Sequence, residues 1–117
     1  MRRGIFEQQP VVLSGDNAAD EVIQDMEFWS DTGGARAMLI ATTVYHVTAS
    51  CELYLETAAR ESGPWDSVTI SATGDDLTVF EASSAATNKL RRFVRWRVVG
   101  GAINWEISFS AKGTVKA

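Results

Sequence analysis

The sequence predicts an all-β fold: a single antiparallel β-sandwich, jelly-roll-like, with about seven to eight strands and an extended N-terminal arm. Three observations carry this expectation. Apolar residues alternate with polar ones at period two in several short runs. Turn signals rich in glycine, proline, aspartate and asparagine separate those runs. No segment holds a sustained apolar period of 3.6 over helix length. The chain divides into an arm or edge segment, residues 1–31, and a sandwich domain, residues 32–117.

Taken in order, Gln8-Gln9-Pro10 interrupts any regular start, and Val11-Val12-Leu13 reads as a short edge strand. Ser14-Gly15-Asp16-Asn17 is turn chemistry. From Asp16 to Asp31 acids recur without a single lysine or arginine. Asp16 is suited to N-cap a short helix to Asp25 with Val22, Ile23 and Met26 on one face; the alternative, favoured here, is an irregular strand from Glu21 to Trp29. Ala35 to Ser50 is rich in threonine and valine, which predicts a strand. Its apolar residues fall on both parities (Leu39, Tyr45 and Val47; Met38, Ile40 and Val44), as in a strand buried on both faces or bending between sheets.

Cys51, Leu53 and Leu55 alternate with Glu52, Tyr54 and Glu56, a half-buried strand. After the turn Ser62-Gly63-Pro64, Val68 and Ile70 alternate with Ser67, Thr69 and Ser71. Thr73-Gly74-Asp75-Asp76 predicts a turn before the strand Leu77-Thr78-Val79-Phe80, and Ala82 to Asn88 a flexible loop. Leu90, Val94, Trp96 and Val98 alternate with Arg91, Phe93, Arg95 and Arg97, and Ile103, Trp105, Ile107 and Phe109 alternate with Asn104, Glu106, Ser108 and Ser110. The intervening Gly100-Gly101 suits a primed two-residue hairpin. That register pairs Val98 with Ile103, Trp96 with Trp105 and Val94 with Ile107, and on the other face Arg97 with Asn104 and Arg95 with Glu106.

Composition bounds the function. A chain of 117 residues, 45% hydrophobic and 22% charged, is one domain's worth of globular protein. Its folded surface should be roughly 6,300 Å² against about 18,600 Å² extended, enough burial for a core without staples. One cysteine makes no internal disulfide. Met1-Arg2-Arg3-Gly4-Ile5-Phe6-Glu7 lacks the apolar run of a secretory signal, and the apolar runs elsewhere are too short for a membrane span. A net charge of −4 speaks against direct nucleic-acid binding.

No catalytic, cofactor or metal site is expected. His46 and Cys51 match no nucleophile motif and supply too few zinc ligands, and Cys51 reads as core beside Leu53 and Leu55. Asp75-Asp76 lacks the alternating oxygens and distal glutamate of a calcium loop. The protein is therefore expected not to be an enzyme. Two surfaces stand out for binding. The run Lys89, Arg91, Arg92, Arg95 and Arg97, with Phe93 among them, is either a partner-facing strand face or arginines pairing with carboxylates across the sheet. The acidic segment ends in Phe28 and Trp29 and reads as a docking arm. Partner contacts are thus expected at Phe28, Trp29, Arg91, Phe93, Arg95 and Arg97. Tyr54 and Trp65 are the glycan contacts of an alternative carbohydrate-binding reading.

Two stretches resemble a family. Leu53-Tyr54-Leu55-Glu56-Thr57 through Ser62-Gly63-Pro64-Trp65 is similar to a strand–turn–tryptophan unit of small tailed-phage virion proteins. Arg92-Phe93-Val94-Arg95-Trp96, through Gly100-Gly101 to Trp105-Glu106-Ile107-Ser108-Phe109-Ser110, is similar to their C-terminal hairpin. The resemblance covers roughly residues 35 to 113. Gly63-Pro64 departs from the usual Asp-Gly, and the acidic segment has no counterpart. The resemblance implies a virion structural protein, foremost a head decoration (cement) protein on the outside of the capsid shell, with a head–tail or tail accessory as the alternative. It implies the major capsid protein or other virion proteins as partners, a homo-oligomer such as a trimer, and assembly in the host cytoplasm.

Overall fold

The computed structural model describes residues 1–70 and 72–117, so Ser71, expected in a strand, lies outside the described residues. In chain order the strands are β1 (Arg2–Arg3), β2 (Ile5–Gly15), β3 (Glu21–Ile23), β4 (Ser30–Asp31), β5 (Ala37–Val47), β6 (Glu52–Ala58), β7 (Asp66–Ile70), β8 (Gly74–Glu81), β9 (Phe93–Val99) and β10 (Trp105–Lys116). Two single-turn 3-10 helices, Met26–Phe28 and Ala86–Asn88, complete the described secondary structure. The first sheet runs β1-β4-β9-β6-β7, with β3 also lying on β9; the second runs β2-β10-β5-β8. The fold is the all-β sandwich the alternation predicts. Its accessible surface of 6187 Å² matches the size scaling for a well-buried single core.

The core lies between the sheets. Leu53, Leu55, Val94, Trp96 and Val98 face inward from the first sheet and meet Phe6, Met38, Ile40, Val44, Phe80, Trp105, Ile107 and Phe109 from the second. Trp96 packs edge-on against Phe109, their ring centroids 5.2 Å apart. Its indole N–H donates to Gln8 Oε1 at 3.0 Å, and that of Trp105 donates to Asp20 Oδ2 at 2.9 Å, so both large rings are buried with their polar edge satisfied.

The expected hairpin of β9 and β10 does not form. β9 pairs with β6, setting Trp96 opposite Leu55 and Val98 opposite Leu53, while β10 pairs with β2 and β5 in the other sheet. Trp96 and Trp105 therefore belong to different sheets, and Arg95 lies opposite Glu56 rather than Glu106. A primed two-residue turn needs positive φ at both central residues. Here Gly101 has it (φ 73), but the next positive-φ residue is Asn104 (φ 53), and the loop between carries the chain across the sandwich. A Cβ on Gly101 would run into the carbonyl oxygen of Ser50, so no larger residue fits this crossing.

Residues 1–31 are not an arm projecting from a separate domain. β2 forms nine pairs with β10 as an edge strand, and its Phe6 is fully buried. Gln9 and Pro10 sit at a bulge, because Gln8 pairs with Ala111 and Val11 with Phe109 while Ser110 alone stands between them. The bulge absorbs the proline and reverses the parity, so that Phe6 and Gln8 point inward before it and Val11 and Leu13 after it. The same device explains the two parities of β5. Val44 pairs with Phe109 and His46 with Ser108, which leaves Tyr45 as the extra residue.

Neither expectation for residues 16–29 survives whole. The Asp20 carboxylate accepts from Asn17 N–H and from Trp105, and no helix starts at Asp16. The strand is limited to Glu21–Ile23, after which Asp25 caps the 3-10 turn by accepting from Glu27 N–H. Asp75 and Asp76, expected in a turn, pair with Thr43 and Thr42 as the start of β8.

Candidate functional site

Three strands of the first sheet set the candidate site on its outer face. The β6–β9 register puts Arg95 beside Glu56 and Arg97 beside Tyr54, and the β6–β7 register puts Ser67 on the other side of Glu56. Glu56 is 2% exposed and is the hub of this face. Its Oε1 accepts from Arg95 Nε at 3.0 Å; its Oε2 accepts from Arg97 Nε at 3.0 Å and from Ser67 Oγ at 2.7 Å. Two guanidiniums and a hydroxyl thus compensate a carboxylate withdrawn from water.

Aromatic rings cover the same arginines. The Arg95 guanidinium carbon lies 3.8 Å from the Trp65 ring centroid and 5.0 Å from that of Trp29. The two indoles meet edge to face at 5.1 Å, and Trp29 N–H donates to Gln24 O at 2.7 Å. The next guanidinium along, Arg97, lies 4.6 Å from the Tyr54 ring and also reaches Glu21 at 3.5 Å. Alternating cations and π-faces make a rigid plate, each contact worth about 0.5–2 kcal/mol depending on its desolvation.

The residues expected to meet a partner separate into two groups. Trp29, Phe93 and Arg95 are buried, and Arg97 is committed to Glu56 and Glu21. Arg91 pairs with Asp66 at 2.9 Å. Cross-sheet pairing, the alternative to a partner-facing arginine face, accounts for Arg95 and Arg97, with Glu56 as the carboxylate. Phe28 alone of the six is an exposed hydrophobic, at 39%, and Ile23 and Met26 beside it are exposed at 42% and 47%. These three exposed side chains fall within six positions, at the end of β3 and in the 3-10 turn that follows it, interleaved with Asp25 and Glu27. Arg2 backs Phe28, its guanidinium 5.3 Å from that ring. Of the expected glycan contacts, Tyr54 and Trp65 share the outer face, but each has a guanidinium over its ring, which removes a stacking surface from a sugar.

Other expected site residues have ordinary roles. Cys51 is buried, and burial with the neighbouring Glu52 charge pushes its thiol pKa up. His46 is exposed and lies 3.5 Å from Glu106. Among the described residues no group of three His, Cys, Asp or Glu side chains is placed to hold a metal.

Sequence reasoning missed a cleft of 530 Å³ at one end of the sandwich. Arg3, Arg91 and Arg92 line it, with Leu90, Ala35 and Ala82 as its apolar wall and the Gly33-Gly34 turn at its rim. Burial raises the Asp31 carboxyl, but the hydrogen bond from Arg92, the Gly33 N–H and the charges of Arg92 and Arg3 outweigh it and hold the pKa below its ordinary value. The lone signal in the sequence was the clustering of basic residues at 89–92.

No family model matches the chain, and no curated protein matches it. Among solved structures, it is similar to a chain described under "Bacillus endospore appendages form a novel family of disulfide-linked pili". The likeness spans 97% of this chain and 90% of that one, at 10% identity and a TM-score of 0.43.

Proposed function

We propose that the chain is a structural component of a tailed-phage virion, and specifically a head decoration protein that binds the major capsid protein on the outside of the shell. The residue pattern at 53–65 supports the family; the pattern at 92–110 resembles it in sequence alone, since β9 and β10 form no hairpin. The observation that carries a binding role is the grouping of Ile23, Met26 and Phe28, three exposed large apolar side chains within six positions, where the other exposed ones, such as Val12, Leu77 and Ile103, are scattered along the chain. Isolated exposed apolar residues are ordinary; three in six positions, carried on a strand and turn fixed to β9, mark a contact surface. Covering each would contribute about 1 kcal/mol, taking half of the full burial value. Repeated across neighbouring capsomers, such contacts stabilise the assembled shell by mass action.

Sedimentation of a native lysate from the source on a density gradient tests this reading. The protein should co-migrate with particles of capsid mass and cross-link to their major shell subunit, identified by mass spectrometry. A Met26→Ser/Phe28→Ser variant should lose particle occupancy at least about tenfold while keeping its melting temperature. Confinement of the wild-type protein to small soluble fractions would overturn the proposal.

A further inference from the structure

The strand registers sort the charges between the two ends of the sandwich. At one end, β9 begins, β10 finishes and β5 begins, since Arg36 N–H donates to Lys116 O and Thr32 N–H to Arg92 O. Arg3, Arg36, Lys89, Arg91, Arg92 and Lys116 gather there against Asp31, Asp66 and Glu81. At the other end, β9 finishes and β10 begins, with Glu21 and Glu52 both paired to Val99. Asp16, Asp20, Glu21, Glu52 and Glu106 gather there, with Arg97 the principal cation among them. A molecule of net charge −4 thus has a basic pole and a strongly acidic one at opposite ends of its strands.

Each pole carries an apolar feature of matching kind. At the acidic pole the β9–β10 crossing lifts Ile103 to 72% exposure, the highest of any large hydrophobic among the described residues. At the basic pole lies the 530 Å³ cleft, with Leu90, Ala35 and Ala82 in its wall and Arg3, Arg91 and Arg92 around them against the single lining carboxylate of Asp31, which pairs with Arg92 at 3.3 Å. Arg91 keeps a buried Nε–H with no acceptor among the described residues. A Cβ on Gly33 or Gly34 would meet nothing within 4 Å, so this rim stands open.

We propose that copies of this chain associate head to tail, the Ile103 loop and its carboxylates from one copy seating in the arginine-rimmed cleft of the next. The occupant is a second copy because the two ends are opposite in net charge and each offers an apolar surface: the exposed Ile103 at the acidic end and an apolar-walled, arginine-rich cleft at the basic end. Opposite charges steer the encounter and fix its polarity, and burial of the knob supplies the holding contact. The two surfaces differ, so the contact is heterologous, and repetition gives a closed ring or an open filament according to the rotation between copies. The inference goes beyond the virion reading and does not depend on it; a failure here leaves the co-sedimentation result untouched.

Sedimentation velocity on the purified full chain tests it. The weight-average mass should rise with concentration above the 12.8 kDa monomer at low salt, and fall back as salt is raised from about 0.05 to 0.5 M. Ile103→Asp spoils the knob, and Ala82→Trp fills the cleft without altering a charge. Both positions are exposed, so both variants should melt like the wild type. Each alone should be monomeric. Mixed, they should give a 1:1 heterodimer and nothing larger, because one retains an intact cleft and the other an intact knob. A wild-type chain that stays monomeric at all concentrations would overturn the proposal. So would variants that associate as the wild type does, or a mixture that remains monomeric.

Discussion

Glu56 shows how much of the outer face of the first sheet depends on one side chain. It is buried on a strand, yet accepts from Arg95, Arg97 and Ser67. Removing it would leave Arg95, 9% exposed, as a charge with no counter-charge between two indole rings. Breaking a buried pair from one side costs about 3–5 kcal/mol, whereas replacing both partners by apolar groups of similar volume is often neutral. Glu56→Ala should therefore lose about 3–5 kcal/mol in urea unfolding. A Glu56→Leu/Arg95→Met double variant should recover most of that loss. If the double variant were no better than the single one, the cost would lie in packing around Glu56 and not in its charge. The pairing is half legible in the sequence, where arginines compensated by carboxylates across a sheet are one of the two readings of the basic run. The partner was misassigned to Glu106 because the choice of carboxylate depends on which strands are neighbours, and side-chain alternation does not encode that.

At the scale of elements the same distinction recurs. Alternation was readable in β6, β7, β9 and β10 because one face of each strand is buried, and burial imprints period two directly on the residues. Neighbours were not readable, because among the described strands β6 and β7 are the sole consecutive pair that hydrogen-bond to each other. Nearly every other connection crosses to the opposite sheet. The two bulges hid further order: Tyr45 in β5 and Gln9-Pro10 in β2 each switch parity mid-strand, so one face reads as two. β2 suffered most: Gln8-Gln9-Pro10 reads as a break before a short edge strand at Val11-Val12-Leu13, where Gln8 in fact lies within one long strand and accepts from Trp96. This has a direct consequence. Deleting residues 1–15 should abolish cooperative unfolding, since it removes Phe6 from the core, the acceptor from Trp96 and one whole ladder from β10. A truncated chain that still melts in a single transition, followed by near-UV circular dichroism, would contradict the observed role of β2 and restore the arm.

For the whole molecule, the topology places the folding cost in long-range closure. β2 has β10 as its sheet partner, so its ladder joins residues about a hundred positions apart in sequence, as in Ile5 with Thr114. Closing a loop of that length delays the reward of pairing, and sheets dominated by such contacts fold in milliseconds to seconds. The ends themselves lie together: Val115 N–H donates to Gly4 O at 3.2 Å. A circular permutant can therefore join Ala117 to Met1 by a flexible linker of about eight to ten residues. Opening it between Ser83 and Ser84, in the exposed connection from β8 to β9, leaves every strand intact. In that chain β10 and β2 become a local antiparallel pair, a second hairpin beside β6–β7. The native contacts are unchanged, so the melting temperature should stay within about 5 °C of the wild type, the shift that about 1 kcal/mol produces in a domain of this size. Refolding in stopped-flow tryptophan fluorescence should be faster. If the permutant is equally stable but refolds no faster, the β2–β10 ladder forms after the rate-limiting barrier, and the closure cost lies instead in assembling the first sheet around β9.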